Sequence, residues 1–144
     1  MPPMPENDLA DVPPLGVEMA RISLSEWNYT SQKPDDHPGS LKKMVQSYQA
    51  ASDFADEMVG RLLDQLDKTG RAENTIIVLW SDHGYHLGDK TSCGKTTLWE
   101  KANHVPFIIV APGITQPGTR IDTPVGLVDI YPTLLDLAGL PTKP

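Results

Sequence analysis

At 144 residues the chain has room for one modest domain, or for part of a larger one. Its 39% hydrophobic and 22% charged residues are the mixture of a folded globular protein, which excludes wholesale disorder. A formal net charge of −7 argues against general nucleic-acid binding, a single cysteine excludes an internal disulfide framework, and no apolar run is long enough to span a bilayer.

Residues 1–40 are rich in Pro, Asp and Ser and hold no sustained period of 2 or 3.6. They are expected to form an extended, loop-like arm that becomes ordered only against a partner surface. The opening Met1-Pro-Pro-Met-Pro-Glu6 lacks the basic and apolar regions of a secretory signal, and the compartment stays unassigned. Asn28-Tyr29-Thr30 fits the glycosylation sequon, a triplet common by chance.

The pattern changes at Leu41. Leu41, Met44, Val45, Tyr48, Ala51, Phe54, Ala55, Met58, Val59, Leu62, Leu63 and Leu66 recur at spacings of three and four. That predicts one long helix to Lys68 with a broad apolar stripe, Ser40 as its N-cap and Gly70 just past its end. After a polar turn, Thr75-Ile-Ile-Val-Leu-Trp80 is a continuous apolar run, as in strands covered on both faces of a parallel sheet. Phe107-Ile-Ile-Val-Ala111 is a second such run, closed by Pro112-Gly113. A short final helix is expected after Asp129, with Leu134, Leu135, Leu137 and Ala138 inward and Gly139 ending it. Helix, strand, long loop, strand and helix together indicate α/β architecture. Two strands cannot by themselves make a doubly covered sheet, so further strands are expected from elsewhere.

The chemistry concentrates in Ser81-Asp-His-Gly-Tyr-His-Leu-Gly-Asp-Lys90, directly after the first strand. Ligands in open α/β sheets bind beyond the carboxyl ends of strands. There Asp82 and His83 could share a metal ion, with Gly84 letting the backbone turn. Equally, Asp82 could cap the next turn while His83 is a hydrogen-bonded loop residue. Lys95, in the loop before His104-Val-Pro106, is either a solvated lysine or a cation for an anionic substrate oxygen. Gly88 to Thr96 superficially resembles a phosphate-binding loop. Five residues separate Gly88 from Gly94 where four are required, and the inserted residue spoils the amide cradle.

Ser81-Asp-His-Gly-Tyr-His-Leu-Gly-Asp89, Lys95-Thr-Thr-Leu-Trp-Glu100 and His104-Val-Pro-Phe-Ile-Ile-Val-Ala-Pro-Gly113 together resemble the sulfatase family of the alkaline phosphatase superfamily. The likeness is greatest to the iduronate-2-sulfatase branch. Phe54-Ala-Asp-Glu-Met-Val-Gly-Arg-Leu-Leu63, Val128-Asp-Ile-Tyr-Pro-Thr-Leu-Leu-Asp-Leu-Ala-Gly139 and the arm segment Met4-Pro-Glu-Asn-Asp-Leu-Ala-Asp-Val-Pro-Pro14 extend it in the family's order. The resemblance implies a sandwich with a mostly parallel central sheet and flanking helices. Residues 41–144 would then be a middle-to-late segment of a catalytic domain, incomplete at both ends, that needs the rest of the domain to complete its sheet.

By the same resemblance, Asp82 and His83 match the pair that ligates a divalent cation, usually calcium, and Lys95 matches a lysine that contacts the sulfate. Calcium favours oxygen, so a histidine ligand is unusual for it. No catalytic role carries over to His86 or His104. The family nucleophile is a formylglycine made from the Cys of a C-x-[PA]-x-R motif. Cys93-Gly-Lys-Thr-Thr97 does not fit that motif, so the formylglycine, a pair of aspartates and a histidine-bearing block are expected upstream. The implied reaction is sulfate-ester hydrolysis on a sulfated sugar such as an iduronate 2-sulfate, with the isolated 144 residues inactive. Three alternatives stay open. One is a metal-dependent phosphoesterase of the same superfamily, and the second an inactive remnant that serves as a binding module. The third is no stable protein at all, because the helix and two strands would leave an apolar face uncovered.

Overall fold

The computed structural model describes residues 7–22 and 40–141. The Asn28-Tyr29-Thr30 triplet and most of the expected arm lie outside them. The chain divides into two compact units, residues 1–65 with 83–105 and residues 66–82 with 106–144.

Among the described residues the first unit holds α1 (Pro14–Ile22), most of α2 (Ser40–Lys68), β2 (His86–Leu87), β3 (Cys93–Gly94) and the short α3 (Glu100–Asn103). Helix α2 matches the expected span. Its stripe is covered at the start, where Val45 is buried and Leu41 and Met44 are half-buried, and open in the middle, where Phe54 and Leu62 are exposed. The Tyr48 ring meets Tyr85 with centroids 5.6 Å apart. At the far end Gly70 takes φ +67°, a left-handed conformation that stops the helix, while Thr69 Oγ1 donates to Leu66 O at 2.7 Å. Pro14–Ile22 is helical where the sequence suggested an extended arm. Proline is well placed there, since a first-turn residue has no partner for its N–H.

The described part of the arm is ordered by contact with the loops after β2. Gly16 leaves room for Trp99, whose ring would lie 3.3 Å from a Cβ there. Lys90, the one described non-glycine residue with positive φ (+52°), donates its N–H to Asp8 Oδ2 at 2.5 Å. Its Nζ donates to Asp8 O and to Asp11 Oδ1, each at 2.6 Å. The hydrogen bond from Lys90 holds the Asp11 carboxyl below its ordinary value, and the same bond holds the Lys90 ammonium above its own. Asp11 therefore contributes stability above the ordinary aspartate pKa, lost as pH falls through its lowered value. Lys90 contributes below the ordinary lysine pKa, and that is lost as pH rises through its raised value. Lys90→Met is expected to speed amide exchange across residues 8–12 at neutral pH, while the wild type shows the same release only at acid or strongly alkaline pH.

The second unit holds β1 (Ile77–Trp80), β4 (Phe107–Val110) and α4 (Ile130–Leu137). β1 and β4 pair antiparallel, with Ile77 opposite Val110 and Trp80 opposite Phe107. β2 and β3 form a second antiparallel pair, His86 opposite Gly94 and Leu87 opposite Cys93. The expected mostly parallel central sheet is thus not what forms. A parallel return needs a crossover of a dozen or more residues, usually through a helix packed on the sheet. Here the intervening chain comes back to the strand end that it left, where Ser81 N donates to Pro106 O at 3.2 Å, so β4 runs back along β1.

Nor are the two apolar runs covered on both faces. Ile77, Leu79, Ile108 and Val110 share one face, where all but the half-buried Ile77 are exposed; on the other, Val78, Phe107 and Ile109 are half-buried and Trp80 is exposed. Beyond β4 the chain turns at once. Ala111 is buried and its N–H is taken by Thr115 Oγ1 at 2.9 Å. In α4, Leu134, Leu135 and Leu137 are half-buried as expected, whereas Ala138 is exposed. Gly139, at φ +65°, follows the helix. Asp129 precedes the helix but makes no side-chain capping bond.

Candidate functional site

The segment after β1 is shaped by Gly84. Its N–H donates to Ala102 O at 2.8 Å, and a Cβ at this position would lie 1.8 Å from Lys101 O. Only glycine allows two backbone segments this close. The approach anchors His83, just before it, against the backbone of α3.

His83 is half-buried, and its Nδ1 lies 2.8 Å from Gly84 O. A carbonyl can only accept, so Nδ1 carries the hydrogen and Nε2 presents its lone pair. Lys95 Nζ donates to that lone pair at 2.7 Å. Two residues singled out from the sequence, twelve positions apart, therefore meet directly. Lys95 is exposed, as a lysine serving an external anion would be. Asp82 is also exposed and ends the first part of the second unit, while His83 opens the second part of the first, so the two are consecutive in the chain across that division.

Three further side chains stand behind this pair. His86 is fully buried. Its Nδ1 donates to Asp89 Oδ2 at 2.5 Å, and its Nε2 lies 2.7 Å from Thr97 Oγ1. The second Asp89 oxygen accepts the Leu87 N–H at 3.3 Å, and Thr97 Oγ1 accepts the Trp99 N–H at 3.3 Å. The sequence marked His86 only as a neighbour of the motif and passed over Asp89 and Thr97. The three-residue step from His86 to Asp89 was a weak signal. Thr97, eleven residues on, is visible only once Gly94 is known to pair with His86. His104, also left without a role, pairs on the surface with Glu100 at 3.1 Å.

A sequence model of the sulfatase family matches residues 7–140. The chain belongs to the sulfatase family. Among its relatives it is similar to a sulfatase of Formosa agariphila, 43% identical over 142 residues, covering 96% of this chain and 26% of that protein. It is 38% identical over 135 residues to the choline-sulfatase of Rhizobium meliloti, covering 88% of this chain and 26% of the other. It is 35% identical over 127 residues to human iduronate 2-sulfatase, covering 72% and 23%. The chain thus spans about a quarter of the length of these relatives. Since sulfatases named for different substrates match comparably, the likeness is to the family and not to the iduronate branch in particular. No solved structure matches the chain.

Sulfatases generally use a divalent cation and a formylglycine. Among the described residues no three His, Cys, Asp or Glu side chains converge on a point where a metal could sit. Cys93 is buried in β3.

Proposed function

We propose that this chain supplies the metal- and sulfate-contacting segment of an enzyme that hydrolyses sulfate esters. The observation that carries the reading is the contact of Lys95 Nζ with His83 Nε2, inside a chain that the sulfatase family matches from residue 7 to 140.

The donor chemistry of His83 fits a metal ligand. Metal-bound histidines hold the proton on one ring nitrogen with a carbonyl or carboxylate and offer the other to the ion. His83 holds its proton in that way, on Nδ1 against Gly84 O, and Asp82 adds a carboxylate oxygen beside it in the chain. The His83 Nε2 lone pair, which accepts from Lys95 Nζ here, would pass to the ion on binding and free the ammonium for the sulfate. Two residues are part of a ligand set, and the remaining ligands come from outside these 144 residues. Asp82 and His83 would hold a divalent cation, calcium on the family resemblance, and that ion when bound polarises sulfate oxygens. Lys95 places a positive charge where negative charge grows on the ester as the S–O bond breaks. The formylglycine nucleophile is likewise assigned outside these residues, and the 144 residues alone are expected to be inactive.

Residues 41–144 are then part of a catalytic domain preceded by the 1–40 arm, and the rest of that domain covers the open face of Leu79, Ile108 and Val110. The substrate class we carry from the resemblance is a sulfated sugar, an iduronate 2-sulfate being one case; choline-sulfatase matches at 38%, so the identities themselves do not select it. The metal assignment has a direct check in the full-length protein. Asp82→Ala and His83→Ala are each expected to lower bound divalent metal, measured by mass spectrometry after dialysis, by roughly 10-fold or more while leaving the fold intact. Unchanged metal content in both variants would remove these residues from the ligand set.

A further inference from the structure

We propose that His86 is a positioning residue for Lys95, acting through Thr97. The catalytic half of this inference rests on the functional reading above, and its structural half does not.

His86 grips the chain on both sides of Lys95. Its backbone lies opposite Gly94 in the β2–β3 ladder, one residue before the lysine. Its side chain holds Thr97 Oγ1 at 2.7 Å, two residues after it. The stretch between is drawn into a tight turn in which Thr97 N–H donates to Lys95 O at 2.8 Å. The lysine is therefore presented from a backbone segment pinned at both ends by one residue, which lies three positions from His83.

The protons in this brace are accounted for. Nδ1–H of His86 donates to the Asp89 carboxylate, leaving Nε2 as acceptor for the Thr97 hydroxyl, which in turn accepts from the Trp99 N–H. A fully buried imidazole with both nitrogens satisfied fixes geometry, because every alternative rotamer would strand a polar group. By contrast Lys95 is exposed and has a long flexible stem, so its reach toward His83 Nε2 depends on where its backbone is held.

The test uses Thr97→Val, which keeps the side-chain shape and removes the hydroxyl, beside Thr97→Ser, which restores it. In metal-free, 15N-histidine-labelled full-length protein, the Nε2 resonance of His83 is read by solid-state NMR. Thr97→Val is expected to move it to its position in Lys95→Met, where the ammonium is gone, and Thr97→Ser to leave it at the wild-type value. A His83 resonance that shifts in Lys95→Met but stays put in Thr97→Val overturns the inference. In turnover, Thr97→Val is expected to lower kcat/KM for an aryl sulfate about 100-fold, the scale of a misplaced catalytic group. In a Lys95→Ala background it should lower it no further. Full multiplicative losses in the double variant would show that Thr97 acts on the fold and not through Lys95. If the wild-type protein hydrolyses no sulfate ester, the functional reading fails, and the NMR comparison still decides the positioning.

Discussion

Lys95→Ala in the full-length protein is expected to lower kcat/KM for sulfate-ester hydrolysis by about 100- to 1,000-fold, the range seen when one preorganised charge-stabilising donor is removed. Lys95 lies exposed at the surface with its ammonium held 2.7 Å from His83 Nε2, so its loss breaks no buried network and the fold should survive. The loss should fall on kcat more than on KM, because charge on the leaving oxygen grows toward the transition state. Arginine should restore little: its planar, delocalised guanidinium does not reproduce the compact charge of an ammonium. Bound metal should stay at the wild-type level, which separates this variant from Asp82→Ala and His83→Ala. A Lys95→Ala enzyme with full turnover would return this residue to an ordinary loop lysine.

Gly84→Ala should do the reverse, damaging structure first. The added Cβ would be placed 1.8 Å from Lys101 O and 2.9 Å from Lys101 C, and both are backbone atoms that no rotamer change can move aside. The Gly84–Ala102 hydrogen bond must then lengthen, and the segment carrying His83 must separate from α3. Forced overpacking of this kind costs about 1–3 kcal/mol, more where backbone must shift. A fall in melting temperature together with loss of turnover is expected. A Gly84→Ala protein that melts like the wild type would show that the close approach is not needed.

What could be read from the sequence divides along physical lines. Helix α2 was legible because twelve apolar residues at spacings of three and four leave few other structures possible, and because Gly70, read as the residue just past its end, takes positive φ there. The positions of β1 and β4 were legible too, within two residues, from their β-branched apolar runs. Their direction was not. An unbroken apolar run fits a strand covered on both faces, but it equally fits a ribbon with one face open, and the Ser81–Pro106 bond that settles the antiparallel return joins residues far apart in sequence. The helix at Pro14–Ile22 is too short for periodicity to register in a proline-rich context.

At the site, Asp82, His83 and Lys95 stood out by residue type and by likeness to a family motif. The contact between His83 and Lys95 could not be seen, nor could the brace behind it, because both depend on the pairing register of two very short strands. Two-residue strands carry no alternation to read. Their register is held by the side chains of His86, Asp89 and Thr97, whose spacing in sequence has no period.

Whether this chain carries the sulfate-contacting segment of a sulfate-ester hydrolase is decided by offering the full-length protein an aryl sulfate and the matching aryl phosphate. Sustained release of the phenol from the sulfate is expected, dependent on divalent metal and on Lys95, with the phosphate turned over far more slowly. Preferential hydrolysis of the phosphate, or no sulfate turnover by the metal-loaded protein, would contradict that reading.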